Sequence, residues 1–140
     1  MSLNNIEPPK KIVFFGDSIT QAGVNPSGYI TVLKSLIDKK GLGDSYELIG
    51  EGIGGNKVYD LYLRHEKDVL SHEPDHVFIW IGVNDVWHKT THGTGTDHWK
   101  FQQFYEALID KFQAQKIEVE KGRVVKKGTI AIRVDWTMDS

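Results

Sequence analysis

The sequence has 140 residues, of which 39% are hydrophobic and 26% are charged, and this composition predicts one globular domain over residues 1–140. Its 17 basic and 19 acidic side chains give a formal net charge of -2, which excludes the strongly basic surface of a typical nucleic-acid binder. The absence of cysteine excludes a disulfide framework, a thiolate nucleophile and a zinc–thiolate centre.

Membrane insertion and export have no signal in this sequence. No apolar stretch approaches the ~20 residues that cross a bilayer, so we expect no membrane span. The first residues, Met1 to Lys11, lack the basic-then-apolar layout of a secretory signal. Neither observation indicates a compartment, so the sequence leaves the localisation open.

Strands and helices alternate in the first two-thirds of the chain. The β-branched and aromatic run at residues 11–15 predicts a first strand that is buried on both faces. Ser27 is expected to cap a helix over residues 28–40, and Gly41 is expected to end it. A second, weaker strand is predicted at residues 46–49.

The same alternation continues beyond the second strand. A second helix is predicted from Val58 to a point before Pro74, and a third strand at residues 76–81. Asp97 is expected to cap a third helix, whose apolar side chains recur at helical spacing. Strands that alternate with helices predict βαβ units with right-handed crossovers, and therefore an α/β fold with a parallel sheet.

The last quarter of the chain has a different pattern. From residue 129 to residue 136, apolar side chains alternate with other side chains, which predicts a half-exposed strand. Turn signals separate short apolar stretches, so residues 116–136 are expected to form a hairpin or meander at a sheet edge. The sequence therefore predicts an atypical, β-rich C-terminal tail.

Three loops follow the predicted strands and hold the residues with the most chemistry. Because the carboxyl ends of parallel strands meet at one edge of a sheet, these loops should open onto the same rim. They are residues 16–20, 52–56 and 82–85.

Each of these loops supplies a group suited to acyl transfer. Ser18 directly follows a strand and a tight turn, a position typical of an exposed nucleophile. Gly55 has no Cβ, so its backbone N–H can approach a ligand and donate to a developing oxyanion. The side-chain amide of Asn84 is a neutral donor for the same negative charge. The three residues are therefore predicted to surround one carbonyl group.

The residues in these loops form three blocks: Gly16-Asp17-Ser18-Ile19, Gly54-Gly55-Asn56 and Gly82-Val83-Asn84-Asp85. In type and order they resemble the first three blocks of the SGNH, or GDSL, hydrolase family. The resemblance covers roughly residues 10 to 115. Each block follows a predicted strand, which makes the set more specific than any single block.

The resemblance implies both a fold and an activity. The fold would be a flavodoxin-like, three-layer α/β/α sandwich, and the activity that of a serine ester hydrolase without metal or organic cofactor. Ser18 would be the nucleophile, and the oxyanion hole would comprise the N–H groups of Ser18 and Gly55 with the Asn84 amide. The family acts on small acyl esters, including lipid, acetyl-carbohydrate and thioester substrates. Asp17 and Trp87 are expected to contact the substrate.

The chain departs from the family pattern at the acid and the base. The family carries them in a later Asp-x-x-His block, and residues 135–138 place methionine where the histidine should stand. A serine hydroxyl without a base is a weak nucleophile near neutral pH, so we expect impaired activity. The chain is expected to be truncated or altered after about residue 119, or to be a shortened relative. His88 and His92, in the loop that follows Asn84, are the alternative bases.

Three other interpretations compete with a serine hydrolase. Residues 50–55 satisfy the G-x-G-x-x-G pattern after a predicted strand, which is typical of a nucleotide-binding domain. A non-catalytic fragment would pair its exposed C-terminal strand with a partner chain, or with a second copy in a homodimer. A metal site at His88, His92 and His98 is disfavoured because their spacing does not suit a ligand set, so no metal is predicted.

Overall fold

A parallel four-stranded sheet forms the centre of the protein in a computed structural model, which describes residues 7–121, 123–124 and 130–131. All neighbouring strands of this sheet are parallel, in the order β2-β1-β3-β4. The predicted first three strands are confirmed, and the first two extend further toward the glycines that follow them. The strands are β1 Lys10–Gly16, β2 Tyr46–Gly52, β3 His76–Trp80 and β4 Glu118–Lys121.

Five α-helices connect or follow these strands in the part of the chain that the structure describes. They are α1 Ser18–Gln21, α2 Tyr29–Lys39, α3 Val58–Asp68, α4 Val83–Thr91 and α5 His98–Ala114. In α5, four buried aromatic and aliphatic side chains repeat at helical spacing, which explains why this segment packs as a helix on the sheet. They are Phe101, Tyr105, Leu108 and Phe112. None of the helices in the described residues is long and apolar enough to cross a membrane.

The helices lie on both faces of the sheet. Strand residues such as Val13 and Phe15 are fully buried in one hydrophobic cluster with α3 and α5. On the other face, Tyr29 of α2 packs against Phe14 and Trp80, with ring centroids 5.9 and 5.1 Å apart. The predicted three-layer α/β/α sandwich is confirmed. A cavity of about 820 Å³ lies between α2 and this face of the sheet.

The ends of two helices differ from the sequence prediction. Ser27 does not cap α2, because Gly28 occupies the N-cap position, where a Cβ would lie 2.2 Å from the carbonyl oxygen of Ala22. Asp97 is at the N-cap of α5 as predicted, but its side chain pairs with Lys89 instead of capping the helix. Gly41 does end the predicted first helix, with a φ of 74° that favours glycine.

The β-rich tail is only partly described. β4 pairs in parallel with β3, so residues 118–121 belong to the main sheet and not to a hairpin or meander. A separate antiparallel pair joins β5 Arg123–Val124 to β6 Ile130–Ala131. The rest of the predicted strand, residues 132–136, lies outside the described residues. A homodimer through this strand therefore stays a prediction.

Candidate active site

Ser18 lies at the tight turn between β1 and α1. It is the first residue of α1 and is exposed to solvent. The turn requires glycine at position 16, because a Cβ there would lie 2.5 Å from the carbonyl oxygen of Trp80. Asp17 caps the short helix by accepting a hydrogen bond from the Ile19 N–H at 3.0 Å. This turn presents the serine side chain at the carboxyl end of the sheet.

The second loop, at the end of β2, lies directly against α1. A Cβ on Gly52 would be 2.1 Å from the backbone nitrogen of Gln21, so only glycine permits this approach. The N–H of Gly54 donates to Gln21 Oε1 at 2.8 Å, and a Cβ on Gly54 would lie 3.7 Å from Cβ of Ser18. Gly55 has a φ of 80° and open space on its Cβ side. The glycine loop and Ser18 therefore share one small region of the rim.

Asn84 joins the third loop to the second. It is buried at the start of α4, which follows Gly82, a residue with a φ of 133°. Its Nδ2 donates to the carbonyl oxygen of Asn56 at 3.1 Å, next to Gly55. The amide group has a second N–H that this hydrogen bond does not use. All three sequence blocks thus meet at the rim, as the strand order of a parallel sheet predicts.

Asp85, the residue after Asn84, is a buried hydrogen-bond acceptor beneath the rim. Its carboxylate, 1% exposed as a residue, accepts from the Val58 N–H at 3.1 and 3.2 Å and from Thr96 Oγ1 at 2.6 Å. Burial raises the pKa of Asp85, while these hydrogen bonds and the charge of Lys57 act in the opposite direction. Asp85 therefore ties α4 to the start of α3 and to the loop before α5.

The buried Asp85 and the exposed Asp97 should change stability with pH in opposite directions. Asp85 keeps its proton to higher pH in the folded protein than in the unfolded chain. Its contribution to the free energy of unfolding therefore falls as pH rises from 3.8 through the raised pKa. Asp85→Asn cannot ionise and should lose less stability over that range. A hydrogen bond from Lys89 lowers the pKa of Asp97, so its contribution is present above 3.8 and is lost as pH falls through the lowered pKa.

The measurement is urea unfolding of wild type, Asp85→Asn and Asp97→Asn between about pH 3 and pH 7. Subtracting each variant from the wild type cancels the contribution of all other titrating groups. The wild-type advantage over Asp85→Asn should shrink with rising pH, and the advantage over Asp97→Asn should grow. Parallel pH curves for wild type and Asp85→Asn would contradict the assignment.

The two alternative bases lie in a helix or directly after it, so their expected place in a loop is wrong. His88 is in α4, His92 is its C-cap residue, and their ring centroids are 4.4 Å apart. Desolvation and the charges of Lys57 and His92 lower the pKa of His88, which favours a neutral ring. A base role for either ring therefore stays a prediction, since His88 lies within α4 and His92 directly after it.

The Asp-x-x-His spacing also occurs at Asp85 and His88, where Asp85 is the last residue of the third block. The two side chains do not form a hydrogen-bonded pair there. Asp85 accepts from Val58 and Thr96, whereas the His88 ring packs beside Trp87 and His92. This spacing therefore does not reproduce a carboxylate that orients a catalytic imidazole.

The two residues expected to contact substrate, Asp17 and Trp87, differ in their exposure to solvent. Asp17 is only 1% exposed and caps α1, so the expectation of a substrate contact is corrected to a structural role. Burial raises the pKa of its carboxyl group. Trp87 is 60% exposed on α4, three residues after Asn84, and its indole is available at the surface. Within the described residues, no three His, Asp or Glu side chains cluster in a way that could hold a metal ion.

Arg64 of α3 is a site residue that the sequence did not indicate. Its Nε donates to Asn56 Oδ1 at 2.7 Å, and its Nη2 donates to the carbonyl oxygens of Gly16 and Glu51 at 2.9 and 3.3 Å. The guanidinium also lies 4.6 Å above the centroid of the Phe15 ring. The one sequence feature that could have indicated Arg64 is its place in an amphipathic helix between the buried positions 61 and 65. That signal does not reveal which loops the arginine binds.

The chain is similar to a known hydrolase family and to solved esterase structures. The model of the GDSL-like Lipase/Acylhydrolase family matches residues 14–136. The acetylxylan esterase of Geobacillus stearothermophilus is 30% identical over an alignment of 127 positions, and the match covers 83% of this chain and 58% of the relative. The crystal structure of the acetyl xylan esterase AlAXEase is 62% identical, with a TM-score of 0.77 over 79% of this chain and 56% of that chain.

Two crystal structures of Axe2, an acetylxylan esterase from Geobacillus stearothermophilus, also match. Each is 26% identical, with a TM-score of 0.70 over 81% of this chain and 59% of that chain. Both are described as catalytic mutants, one with a serine and the other with a histidine replaced by alanine.

These observations define a parallel α/β/α sandwich whose rim carries the three sequence blocks. The chain belongs to the GDSL-like lipase/acylhydrolase family, which confirms the resemblance seen in the three sequence blocks. It spans 58% of the length of its curated relative, the Geobacillus stearothermophilus acetylxylan esterase.

Proposed function

We propose that this chain carries the nucleophile and the oxyanion hole of an esterase for acetylated carbohydrate. Ser18 is the nucleophile, and the N–H groups of Ser18 and Gly55 with the Asn84 amide receive the oxyanion. The observation that carries this proposal is the meeting of an exposed serine with the glycine loop and Asn84 at one rim. The Axe2 structure in which a serine is replaced, described as a catalytic mutant, supports a serine nucleophile.

The proposed reaction has two acyl-transfer steps. Ser18 Oγ attacks the ester carbonyl carbon, its proton passes to a base, and the carbonyl oxygen becomes an oxyanion held by the three donors. The tetrahedral intermediate collapses, the alcohol leaves with a proton, and an acetyl-serine remains. Water then attacks the acetyl group in the same way and releases acetate.

The general base is the missing component of this chain. Beyond the third block, no aspartate is followed three places on by histidine. In the second Axe2 catalytic mutant a histidine is replaced, which supports a histidine base in that relative. We infer that this chain alone is an impaired esterase. His88 lies in α4 and His92 is the C-cap residue of that helix. Among the described residues no hydrogen bond joins either ring to Ser18, so these histidines are the weaker alternative.

The acyl group and the alcohol are assigned by similarity. Two relatives are named acetylxylan esterases, and both cover most of this chain. Trp87 would offer the face of its indole to the sugar, because an exposed aromatic ring combines a large apolar surface with one polar edge. The substrate class is therefore an acetyl ester of a carbohydrate such as xylan.

Acetylation of the protein by p-nitrophenyl acetate tests the nucleophile. Ser18 should gain an acetyl group slowly, seen by mass spectrometry of its peptide, and should keep it because water also needs a base to remove it. Ser18→Ala should lose the modification, whereas Ser35→Ala, which removes an exposed hydroxyl from α2, should keep it. His88→Ala and His92→Ala should leave the acetylation rate unchanged. Acetylation of the same peptide at an unchanged rate in Ser18→Ala would overturn the assignment of the nucleophile. Turnover at typical enzyme rates by the 140-residue chain would overturn the inferred impairment.

Nucleotide binding by residues 50–55 is not supported by the packing of their glycines. A Cβ on Gly50 would lie 2.7 Å from Val24 Cγ1, and one on Gly52 would lie 2.1 Å from the Gln21 nitrogen. The close packing of neighbouring protein segments therefore accounts for Gly50 and Gly52 without a ligand. Of the three glycines of the pattern, Gly55 alone faces open space.

A further inference from the structure

Arg64 connects the three segments that form the rim. Its Nη2 binds the last carbonyl of β1, at Gly16, and a carbonyl of β2, at Glu51. Its Nε binds the Asn56 side chain in the glycine loop, while its Nη1 pairs with Asp68 one turn along α3 at 2.9 Å. The side chain is only 14% exposed, so water competes little for these bonds. Each nitrogen of the guanidinium thus has its own structural partner.

The partners of Arg64 lead directly to the proposed catalytic groups. Gly16 is two residues before Ser18, and its carbonyl also accepts from the Ile53 N–H at 3.1 Å. Asn56 presents its side chain to Arg64 and its backbone carbonyl to Asn84 Nδ2. The path from the nucleophile turn to the oxyanion donor therefore passes through one planar cation.

We propose that Arg64 is a positioning residue that fixes the spacing between Ser18 and the Asn84 amide. This inference rests on the proposed function, since it assigns Arg64 to the oxyanion hole of the same reaction. A planar guanidinium holds several acceptors at set angles, whereas a lysine ammonium is a compact charge on a flexible stem. Catalytic donors tolerate little displacement, so a small shift of the glycine loop should weaken oxyanion binding.

Methylboronic acid is a probe of this geometry that requires no catalytic turnover. The Ser18 oxygen adds to boron, the hydroxyl proton goes to solvent, and a tetrahedral boronate anion forms with an oxygen placed for the donors. Arg64→Lys should weaken binding by about tenfold or more, measured by titration at one pH. Asp68→Asn removes the ion pair but leaves the rim contacts of Arg64, so its affinity should stay within about twofold of wild type.

The side-chain amide signals of Asn84 in a ¹H–¹⁵N NMR spectrum give a second, independent reading. They are assigned by their loss in Asn84→Ala. They should shift in Arg64→Lys and stay in place in Asp68→Asn. If Arg64→Lys does not fold, Asn56→Ala replaces it, because that change removes the Nε acceptor and keeps the carbonyl that holds Asn84.

The outcomes separate this inference from the proposed function. Unchanged boronate affinity and unchanged Asn84 signals in the Arg64 variant would overturn the positioning role. Equal losses in Arg64→Lys and Asp68→Asn would overturn it too, because helix stability would then be the cause. Wild-type binding that survives Ser18→Ala would contradict the proposed function, and the Asn84 signals would still decide whether Arg64 fixes the loop.

Discussion

Joining residues 1–121 to the C-terminal region of the Geobacillus stearothermophilus acetylxylan esterase should raise p-nitrophenyl acetate turnover by roughly a thousandfold or more. The region to add is the one that follows the stretch matched by this chain. The reason is that the proposed nucleophile and its donors lie within residues 1–121, whereas no Asp-x-x-His spacing follows the third block to supply the proposed base. The measurement is kcat/KM of the fusion against that of the 140-residue chain.

Two controls show whether the gain comes from the proposed chemistry. Ser18→Ala in the fusion should return the rate to background, because the nucleophile must come from this chain. Alanine at the catalytic histidine of the added region should do the same. A fusion that folds and still shows no gain would mean that the rim does not form a working oxyanion hole.

Alanine at position 52 should destabilise the protein by about 3 kcal/mol. The added Cβ would lie 2.1 Å from the Gln21 nitrogen and 2.5 Å from the Thr20 carbonyl carbon, and both are backbone atoms. Because backbone cannot rotate away as a side chain can, α1 must shift as a unit and carry Ser18 with it. Urea unfolding measures the loss, and acetylation by p-nitrophenyl acetate should slow in parallel.

Gly54→Ala is the matched control in the same loop. Its added Cβ would meet the end of the flexible Gln21 side chain at 3.0 Å, and this group can move. We expect a loss below about 1 kcal/mol. Equal destabilisation by the two substitutions would show that glycine flexibility, and not the close approach of α1, matters at position 52.

The first three strands and three of the helices could be predicted because their signals are local. Apolar runs, helical spacing and the glycine at position 41 describe each element without its neighbours. β4 lies in the region expected to form a hairpin or meander, but its place in the main sheet was not predicted. Its sequence, Glu-Val-Glu-Lys, is short and polar, and its place depends on pairing with β3. α4 was missed for a similar reason. Its β-branched and polar residues have low helix propensity, and Asp85 holds it through bonds to Val58 and Thr96.

In the candidate site, too, some residues could be predicted from local sequence and others could not. Ser18, Gly55 and Asn84 follow strands, so the rule that the carboxyl ends of parallel strands share a rim was enough to bring them together. The role of Arg64 depends on acceptors in β1, β2 and the glycine loop, which are distant in sequence. The capping role of Asp17 depends on one backbone N–H. Residue type alone does not distinguish such bonds from a contact with substrate.

The helix that begins with Ser18 is a single turn of four residues. A helix dipole arises from many aligned peptide units, so this turn provides little field to favour an alkoxide. Removal of the Ser18 proton therefore depends on the acceptor that faces the hydroxyl. Ester cleavage on this scaffold should thus be tuned by the strength and distance of its proton acceptor, with no change to the turn itself.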